Sequence, residues 1–557
     1  MSQVTGGELV VRGLKAEGVQ HIFSLSGGSI VPIYNACAEH GIRVLITRNE
    51  QSAAYMADAW GKLTGKPGVC VVTTGPAVLN ALSGVATAYF ADNPMLLISG
   101  HTDYATFDLG AMQEMDQIAT TRPMVKWSRL VTDRRRIPEY MASAYRHALT
   151  GRPGPVHLDL PGDVLDGTCD AAEVSAVAHE RSRTASGMRG DSAMIRKAVG
   201  LLHQAERPVI LAGRGVAWSH GEEALRQFAD MTHIPYFSKE DDLGCVSHPH
   251  ALYAGLGTTR VNPVARRIAL ADVVLVLGMQ VDFRSGFGRP PFFGADARVI
   301  RVDEVAEAIG DRLPVDAGIV ADCRSALFDL VAEAQRLDWT RPSWIAGLDD
   351  AEREVRDLWE KAARSDRRPV HPLRLCQEVF TFMGERDVIV SDGGDIGQWA
   401  KIAAHPRHPR NWLTVGPILG IGNGIPYAMA AKLARPEARV ALISGDGSFG
   451  FAGMEYDIAV KEKIPFVTVV STDLYWGIIR HAQIRDFGPD RTFGTDLGMT
   501  RYDKVAEALG GYGEFVEDPR EIRPALQRAF DAGVPACINV PTEFTNPFLA
   551  DNYGVKF

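Results

Sequence analysis

Short runs of apolar and β-branched residues alternate along the whole chain with segments of helical periodicity and with Gly/Pro turns. Such alternation predicts parallel β-sheets that are covered by helices on both faces. The predicted fold class is therefore α/β, with doubly wound parallel sheets. The strand-length runs are VLIT (44–47), VCVVTT (69–74), MLLIS (95–99), VHLDLP (156–161), VILAG (209–213), VVLVLG (273–278), VIRVD (299–303), VIVSDG (388–393), VALISGDG (440–447), FVTVVST (466–472) and ACINVP (536–541).

Two stretches between the strand clusters become polar and lose their periodicity, and both are predicted to be linkers. They lie at about 165–192 and 337–370. The linkers divide the chain into domains at 1–175, 190–335 and 368–545, followed by a C-terminal tail at 546–557. Because domains average roughly 100–200 residues, three domains agree with a length of 557 residues.

Composition and charge narrow the class of ligand. Hydrophobic residues make up 46% of the chain and charged residues 23%, which is typical of a globular protein. The formal net charge is −9, and the longest basic run is the triplet Arg134–Arg136. Binding to nucleic acid or to a membrane surface therefore has little electrostatic support, and no apolar run reaches the length of a membrane span. A small-molecule substrate is expected.

The seven cysteines are scattered and odd in number, and no CxxC pair occurs. This pattern argues against a disulfide framework and against a thiolate metal cluster, so a reducing, cytoplasmic environment is expected. Residues 1–18 carry Glu8 within an amphipathic pattern, which predicts a helix rather than a signal peptide.

The most informative motif follows the strand at 440–444. Its residues are Gly445-Asp446-Gly447-Ser448-Phe449-Gly450, and a helical segment comes next. A glycine turn that leads into a helix N-terminus is an anion site, and the spacing also matches the GxGxxG pattern of dinucleotide-binding turns. However, the carboxylate of Asp446 would repel a pyrophosphate at that position. A divalent cation between the two groups reverses the sign of that interaction.

A second carboxylate is expected at the same edge of the sheet. The next strand ends at Asp473, 27 residues after Asp446, and the turn Leu474-Tyr475-Trp476-Gly477 follows. Mg²⁺ prefers six oxygen ligands, so two carboxylates, a turn carbonyl assigned to Tyr475 and a diphosphate would suit it. The alternative is an ordinary tight turn, with Asp446 as a helix N-cap and Asp473 solvated.

With these motifs the sequence resembles the thiamine diphosphate enzymes of the acetolactate synthase, benzaldehyde lyase and 2-hydroxyacyl-CoA lyase group. The family's GDG followed about 27 residues later by Asn-Asn matches GDGS at 445–448 and Thr472-Asp473. Segments 5–28, 47–69 and 73–80 also resemble the family's first domain. The resemblance implies a pyrimidine-binding, a central and a diphosphate-binding domain, with thiamine diphosphate and Mg²⁺ as cofactors.

The resemblance also implies roles for residues near the aminopyrimidine ring. It gives Glu50 the position of the glutamate that meets N1′, which favours the tautomer that removes the thiazolium C2 proton. It makes Gln113 a catalytic residue that orients the substrate oxygen. Further residues are expected to support the pyrimidine end or the bend between the two rings: Thr73, Gly75 and Asn80 for the former, the Leu419 carbonyl and the Ile421 side chain for the latter.

The diphosphate end is implied to lie in the last domain. The residues expected to bind it or its cation are Gly394, Asp395, Gly445, Asp446, Gly447, Ser448, Asp473, Tyr475, Trp476, Gly477 and Ile478. One of them departs from the family pattern, because Asp473 stands where the family has Asn. A second carboxylate adds negative charge beside the diphosphate, so a stricter dependence on Mg²⁺ is predicted.

Since the two ends of the cofactor bind different domains, the family builds each site between two chains. A homodimer at minimum, and a homotetramer as the expected assembly, follow from the resemblance. The substrate is expected from two further matches. Phe287-Gly288-Arg289-Pro290-Pro291 is similar to a stretch of 2-hydroxyacyl-CoA lyases and oxalyl-CoA decarboxylases, and the segments TGGELVVR and GVPACINV resemble benzaldehyde lyase.

The predicted activity is therefore carbon–carbon lyase or carboligase chemistry on 2-hydroxyacyl-CoA or related acyloins, with a CoA thioester as a candidate substrate. The alternative is acetolactate synthase-type condensation or decarboxylation of a 2-oxo acid, with FAD in the central domain. Two other classes remain open: a non-catalytic subunit that keeps the fold, and a nicotinamide dehydrogenase. The aromatic residues Phe544, Phe548, Tyr553 and Phe557 of the segment 542–557 suggest a lid over the site.

Overall fold

The computed structural model describes residues 3–178, 181–184, 186–240, 250–340, 344–347, 349–404 and 410–547. Three six-stranded sheets form the framework, and helices flank each of them. Every predicted strand-length run contains a strand, so the α/β class with parallel sheets is confirmed. Among these residues no helix is long and apolar enough to cross a membrane.

The first domain contains a parallel sheet and a small antiparallel pair. Its strands are β1 (Gln3–Thr5), β2 (His21–Ser24), β3 (Arg43–Ile46), β4 (Gly68–Val72), β5 (Met95–His101), β6 (Trp127–Leu130), β7 (Pro155–Pro161) and β8 (Thr168–Asp170). Its helices are α1 (Gly6–Ala16), α2 (Val31–His40), α3 (Glu50–Thr64), α4 (Pro76–Phe90), α5 (Gln117–Thr121), α6 (Ile137–Leu149) and α7 (Gly162–Asp166). The sheet order is β3-β2-β4-β5-β7-β6, all parallel, and β1 pairs with β8.

The central domain has its own parallel sheet in the order β11-β10-β9-β12-β13-β14. Its strands are β9 (Pro208–Ala212), β10 (Tyr236–Ser238), β11 (Tyr253–Leu256), β12 (Val273–Leu277), β13 (Arg298–Asp303) and β14 (Ala317–Val320). Its helices are α8 (Ser192–Gln204), α9 (Arg214–Trp218), α10 (Glu222–Thr232) and α11 (Cys323–Ala334). This is the strand order of dinucleotide-binding α/β domains.

The third domain repeats the parallel architecture in the order β16-β15-β17-β18-β20-β19. Its strands are β15 (Val388–Asp392), β16 (Trp412–Leu413), β17 (Val440–Gly445), β18 (Val467–Thr472), β19 (Tyr512–Phe515) and β20 (Ala536–Pro541). The helices from the second linker onwards are α12 (Asp350–Ala363), α13 (Pro372–Phe382), α14 (Asp395–Ala403), α15 (Gly424–Ala434), α16 (Asp446–Ala452), α17 (Glu455–Lys461), α18 (Gly477–Phe487), α19 (Tyr502–Ala508) and α20 (Ile522–Asp531).

The prediction of irregular linkers was wrong in part, because the stretch at 337–370 contains α12. Asp349 caps this helix in a capping box with Glu352. The same Glu352 is buried and forms an ion pair with Arg267 of the central domain. Its apolar residues Val355, Trp359, Ala362 and Ala363 follow helical spacing, so the periodicity was present in the sequence and was overlooked. In the other linker, β8 is ordered by its pairing with β1. The exact domain boundaries stay predictions.

The first and third domains of one chain share a hydrophobic core. Helices α3 and α15 meet in it, and the rings of Tyr55 and Tyr427 pack edge to face with their centroids 6.2 Å apart. Asp58 is fully buried here; it accepts hydrogen bonds from the Tyr427 hydroxyl and from the Asn93 amide. This packing fixes the position of α3, which carries Glu50 at its start, relative to the third domain.

Candidate active site

The third domain forms a cavity where its strand order reverses, between β15 and β17. In open α/β sheets, ligands bind outside the carboxyl ends of the strands at such a point. The residues that follow these strands line a cavity of about 300 Å³. Every site residue predicted in this domain lines it: Gly394, Asp395, Leu419, Ile421, Gly445, Asp446, Gly447, Ser448, Asp473, Tyr475, Trp476, Gly477 and Ile478.

Asp446 joins two of the turns that border the cavity. It is the first residue of α16, directly after β17. Its Oδ1 accepts the N–H of Gly447 at 2.8 Å, and its Oδ2 accepts the N–H of Leu474 at 3.0 Å. Burial raises the pKa of Asp446 to about 6. The carboxylate therefore holds the glycine turn after β17 against the turn after β18.

Asp473 lies next to Asp446 because β18 pairs in parallel with β17. Its Oδ1 accepts the N–H of Tyr475 at 3.0 Å. Burial, and then the charge of Asp446, raise the pKa of Asp473 to about 7. A buried carboxylate and a half-buried one that oppose each other's ionisation would both be stabilised by a divalent cation between them.

Two glycines in the turns around the cavity have no room for a side chain. A Cβ on Gly447 would lie 2.4 Å from the Trp476 ring, and a Cβ on Gly394 would lie 2.7 Å from Ile478 Cγ2. Leu419 has a φ of +55°, which residues other than glycine seldom adopt. Backbone strain of this kind concentrates at ligand sites.

The C-terminal segment also packs beside this cavity. His481 Nε2 lies 3.0 Å from Asp395 Oδ2, and the His481 ring stacks on Phe544 with the centroids 4.0 Å apart. Within the described part of the chain, Asp395 Oδ1 is buried without a hydrogen-bond partner. The other aromatics of the predicted lid, Phe548, Tyr553 and Phe557, lie outside the described residues.

The site residues predicted in the first domain form a second group. Glu50 is buried at the start of α3, and its Oε2 accepts a hydrogen bond from the Asn80 amide of α4 at 3.0 Å. The Thr73 hydroxyl lies 2.7 Å from that of Ser29. Glu50 and Asn80, which are 30 positions apart, are thus brought into direct contact.

Gly75 and Gln113 also lie together in the first domain. Gly75 precedes α4 with a φ of +63°, and a Cβ there would lie 2.5 Å from the Gln113 carbonyl oxygen. The Gln113 residue is exposed. Glu50, Thr73, Gly75, Asn80 and Gln113 are all described residues, and none of them lines the third-domain cavity. One chain therefore keeps the two groups of predicted residues apart.

The sequence reasoning missed the cavity wall that involves the central domain. Glu240, which follows β10, accepts a hydrogen bond from Lys401 Nζ at 2.7 Å and lies 3.7 Å from Arg284 Nε. Arg284 also donates to the Gly416 carbonyl at 3.2 Å. Burial opposes ionisation of Glu240, but Lys401 and Arg284 outweigh it and lower its pKa. These residues come from distant segments, so no local pattern could have revealed them.

Comparison with known families identifies the three domains. The model of the thiamine pyrophosphate enzyme N-terminal TPP binding domain matches residues 4–120. The model of the central domain matches 195–330, and that of the C-terminal TPP binding domain matches 392–540. The chain belongs to the thiamine pyrophosphate enzyme family. The resemblance inferred from the sequence is thereby confirmed.

Relatives with two kinds of name align along nearly the whole chain. The acetolactate synthase large subunit IlvG of Mycobacterium tuberculosis is 35% identical over 538 residues, 96% of this chain and 95% of that protein. The 2-hydroxyacyl-CoA lyase of Arabidopsis thaliana is 32% identical over 570 residues, 99% of this chain and 97% of that protein. The 2-hydroxyacyl-CoA lyase 1 of Mus musculus is 28% identical over 559 residues, 97% of this chain and 94% of that protein. The chain is thus a thiamine pyrophosphate-dependent enzyme with relatives among both synthases and lyases.

The residues around the third-domain cavity fit the diphosphate of this cofactor and a cation. Asp446, Asp473 and the Tyr475 carbonyl offer the oxygen ligands that Mg²⁺ prefers. The glycines of the bordering turns let the backbone approach a phosphate closely. When bound, thiamine pyrophosphate supplies a nucleophilic carbon that adds to substrate carbonyl groups.

Proposed function

We propose that this protein is a thiamine diphosphate-dependent carbon–carbon lyase or carboligase. Its substrates are 2-hydroxyacyl-CoA thioesters or related acyloins, which it cleaves reversibly to an aldehyde or ketone and a formyl or acyl fragment. The observation that carries the substrate class is the alignment of 2-hydroxyacyl-CoA lyases with nearly the whole chain. Arg284 and Glu240 form the wall of the main cavity on the side of the central domain. A substrate that extends from the cofactor towards the central domain would meet these residues.

The segment after Arg284 supports a substrate of that length. It contains the Phe287-Gly288-Arg289-Pro290-Pro291 sequence that resembles 2-hydroxyacyl-CoA lyases. The Phe287 residue is 53% exposed. An exposed aromatic ring suits stacking against a planar base.

Different residues of the chain would bind the two ends of the cofactor. Asp446 and Asp473, with the Tyr475 carbonyl, hold Mg²⁺ and through it the diphosphate. The bend between the two rings depends on the Ile421 side chain and the Leu419 carbonyl. At the pyrimidine end, Glu50 holds a proton at the ring nitrogen, with its carboxyl group fixed by Asn80.

Gln113 orients the substrate oxygen, and Thr73 and Gly75 support the ring. The residues that cradle the diphosphate are Gly394, Asp395, Gly445, Gly447, Ser448, Trp476, Gly477 and Ile478, all of which line the cavity.

We also propose that the working unit is at least a homodimer and forms a homotetramer. Large apolar side chains lie exposed beside predicted site residues in both groups: Leu79 at 50% and Met112 at 83% in the first domain, and Leu419 at 49% and Phe451 at 55% in the third. A second copy of the chain would cover these surfaces. It would also bring Glu50 of one chain towards the cavity of the other.

Acetolactate synthase-type condensation of a 2-oxo acid is the second candidate function. The 35% identity to the IlvG protein favours it. Such an enzyme would use the cation-rich wall, with Arg284 and Lys401, to bind a carboxylate. In that case the purified protein is expected to hold FAD and to be yellow.

The test is to incubate the protein with Mg²⁺ and thiamine diphosphate and separate panels of 2-hydroxyacyl-CoAs, aromatic acyloins and pyruvate. Products are followed by mass spectrometry. We expect cleavage of a 2-hydroxyacyl-CoA or an acyloin into two carbonyl products. The Glu50→Gln variant serves as the control, because it keeps the buried side-chain volume and should lose turnover. Acetolactate formed from pyruvate, without cleavage in the other panels, would establish the alternative instead.

A further inference from the structure

A connected group of buried polar side chains lies beneath Gly75 in the first domain. Gln117, at the start of α5, is 1% exposed, and its Oε1 accepts the backbone N–H of Gly75 at 2.5 Å. Its Nε2 donates to Asp159 Oδ1 at 2.6 Å and to the Gly100 carbonyl at 3.0 Å. Ser99 Oγ donates to the same oxygen of Asp159 at 2.8 Å. The amide of Gln117 is thus bonded on both of its sides.

The strand register explains why these groups meet. Ser99 on β5 pairs with Asp159 on β7, so both side chains point to the same face of the sheet. His157, two positions before Asp159, lies on that face as well, and its Nε2 is 2.7 Å from Ser99 Oγ. Burial lowers the pKa of His157 to about 3, so this ring is neutral and adds no charge to the network.

The loop that carries Gln113 rests on the same network. The Gln113 carbonyl packs directly on Gly75, and Gln113 has a φ of +64°. Glu114 accepts two backbone N–H groups of its own loop at 2.6 and 3.0 Å. His101 Nε2 lies 3.1 Å from the Met115 carbonyl. These contacts connect the loop to β5 at one end and to Gln117 at the other.

We propose that Gln117 is a positioning residue for the pyrimidine end of the active site. It holds the Gly75 amide and, through Gly75 and α5, the loop of Gln113, while Asp159 and Ser99 fix the orientation of its amide. Only an amide side chain offers an acceptor on one side and two donors on the other. This inference rests on the proposed function, because Gly75 and Gln113 act on the cofactor or the substrate only if that function is correct.

Losing Gln117 should displace Gly75 and the loop of Gln113, because Gln117 itself is not placed in contact with the cofactor. Without it, the N–H of Gly75 and the carbonyl of Gly100 would be left buried without these partners, which structures avoid by shifting. Reaction rates are sensitive to such shifts, since about 1 Å of misplacement can cost about 100-fold in rate. Affinity for the cofactor comes mainly from the diphosphate and its cation, so it should change little.

The experiment compares the Gln117→Met variant with the unmodified protein, both saturated with Mg²⁺ and thiamine diphosphate. The measured quantity is the rate at which the C2 proton of the bound cofactor exchanges in D₂O, read by acid quench and NMR. We expect exchange to fall at least tenfold, while the Kd for thiamine diphosphate changes less than about threefold. The control is Thr232→Val in α10, which removes a buried hydroxyl bonded to the Phe228 carbonyl at 2.7 Å and should leave exchange unchanged.

A second pair of variants separates positioning from simple loss of folding. Gln117→Glu places a carboxylate beside Asp159, so the two acids should share a proton. Exchange, normalised to the unmodified protein at each pH, should then be low at pH 8 and recover as the pH falls. Adding Asp159→Asn restores the acceptor–donor pair in reversed order, but the Gly100 carbonyl still lacks its donor, so the double variant should recover exchange at pH 8 only in part. The melting temperature of each variant is measured alongside.

The outcomes are distinct. Unchanged exchange in Gln117→Met, or a double variant as slow as Gln117→Glu alone, would overturn the inference. Exchange that follows the folded fraction in every variant would also overturn it, since the role would then be structural. If the unmodified protein itself neither binds thiamine diphosphate nor exchanges its C2 proton, the proposed function fails instead.

Discussion

The first and third domains share one strand order but differ in what occupies the equivalent crevice. If the six strands of each of these two parallel sheets are numbered in chain order, both sheets have the spatial order 2-1-3-4-6-5. After β17, carboxylates and glycines border a cavity of about 300 Å³. After β4, the corresponding place is packed: a Cβ on Gly27 would lie 2.2 Å from Thr73 Cβ, and Gln113 covers Gly75. The same framework thus forms an open crevice in one domain and a closed platform in the other.

The difference matches what each end of the cofactor needs. A charged diphosphate needs a cation and close backbone approach, which an open crevice of carboxylates and glycines provides. A flat, weakly polar ring needs a rigid surface and a few directed hydrogen bonds, which a packed platform provides. The first-domain residues do not line the third-domain cavity of the same chain, so the proposal of a site that two chains complete can be tested directly.

The largest expected effect comes from a complementation experiment, which tests whether residues of two chains form each site. Glu50→Gln and Asp446→Asn should each abolish turnover when present in every chain. In a mixed dimer, one site combines the intact Glu50 of one chain with the intact Asp446 of the other. A random mixture from co-expression should therefore restore about a quarter of the normal activity, and the purified mixed dimer, with one intact site of two, about half. Turnover is measured on purified mixed dimers with one tag on each chain.

If each site were formed within one chain, both sites of the mixed dimer would carry a defect. No activity above that of the single variants would then appear. A mixture of the separately purified proteins, assayed before subunits exchange, provides the matched control.

Two glycine substitutions should separate the functions of the two domains. Gly447→Ala pushes a methyl group into the Trp476 ring and should weaken thiamine diphosphate binding about 10- to 100-fold, the equivalent of about 1–3 kcal/mol of overpacking. Gly75→Ala pushes a methyl group against the Gln113 carbonyl. It should slow C2 proton exchange by a similar factor with little loss of affinity. Tryptophan fluorescence titration and NMR exchange measure the two effects.

Gly450→Ala is the control for the first of these variants. It lies in the same helix, α16, and a Cβ there would have no atom within 4 Å. Its affinity for thiamine diphosphate should equal that of the unmodified protein. Equal losses in Gly447→Ala and Gly450→Ala would show that the turn has no special role.

The open crevice could be predicted from the sequence far better than the platform. Strand runs with a glycine turn at their ends are local patterns, and parallel pairing then places Asp446 and Asp473 at one edge. The platform depends on Gln117, Asp159 and Ser99, which meet only through strand register and the path of a loop. None of these residues stands in a motif.

Several short strands and the α12 helix were not predicted, and β2 and α12 illustrate why. β2 has four residues and lies inside the first sheet, yet its short HIFS segment carries too little pattern to mark a strand. The α12 helix is strongly charged; its Glu352 pairs with Arg267 of the central domain, and its apolar residues pack against the core of the third domain. Both are stabilised by contacts distant in sequence, which single-segment patterns do not contain.

A smaller effect on cofactor affinity is expected from Asp473, the second carboxylate beside the cavity. Asp473→Asn removes a charge beside Asp446 while keeping an oxygen ligand for Mg²⁺. The unmodified protein should lose thiamine diphosphate affinity more steeply as Mg²⁺ is withdrawn, by about tenfold relative to the variant, or about 1.4 kcal/mol. The measurement is the Kd for thiamine diphosphate across a series of buffered Mg²⁺ concentrations. Identical affinity of the two proteins at every metal concentration would contradict it.

The smallest expected effect concerns Glu455, a residue of the third domain that bonds to the backbone of the first domain. Both carboxylate oxygens of Glu455, on α17, lie 3.0 Å from the backbone nitrogen of Arg48, two residues before Glu50, and accept its N–H. Burial raises the pKa of Glu455 to about 7 from an ordinary value of 4.5, and hydrogen bonds from Ser52 and from backbone N–H groups only partly offset this.

Because the folded-state pKa of Glu455 lies above the unfolded one, its contribution to stability is complete below about pH 4.5 and is lost as the pH rises through about 7. Glu455→Gln stays neutral and should lack this loss. The melting temperature of the variant should therefore gain on that of the unmodified protein between pH 5 and pH 8, by an amount on the order of 2 °C. Calorimetry at matched ionic strength measures it, and Lys461→Gln, at an exposed position of the same helix, is the control. A difference that does not change with pH would show that Glu455 is ionised throughout, held so by the N–H groups it accepts.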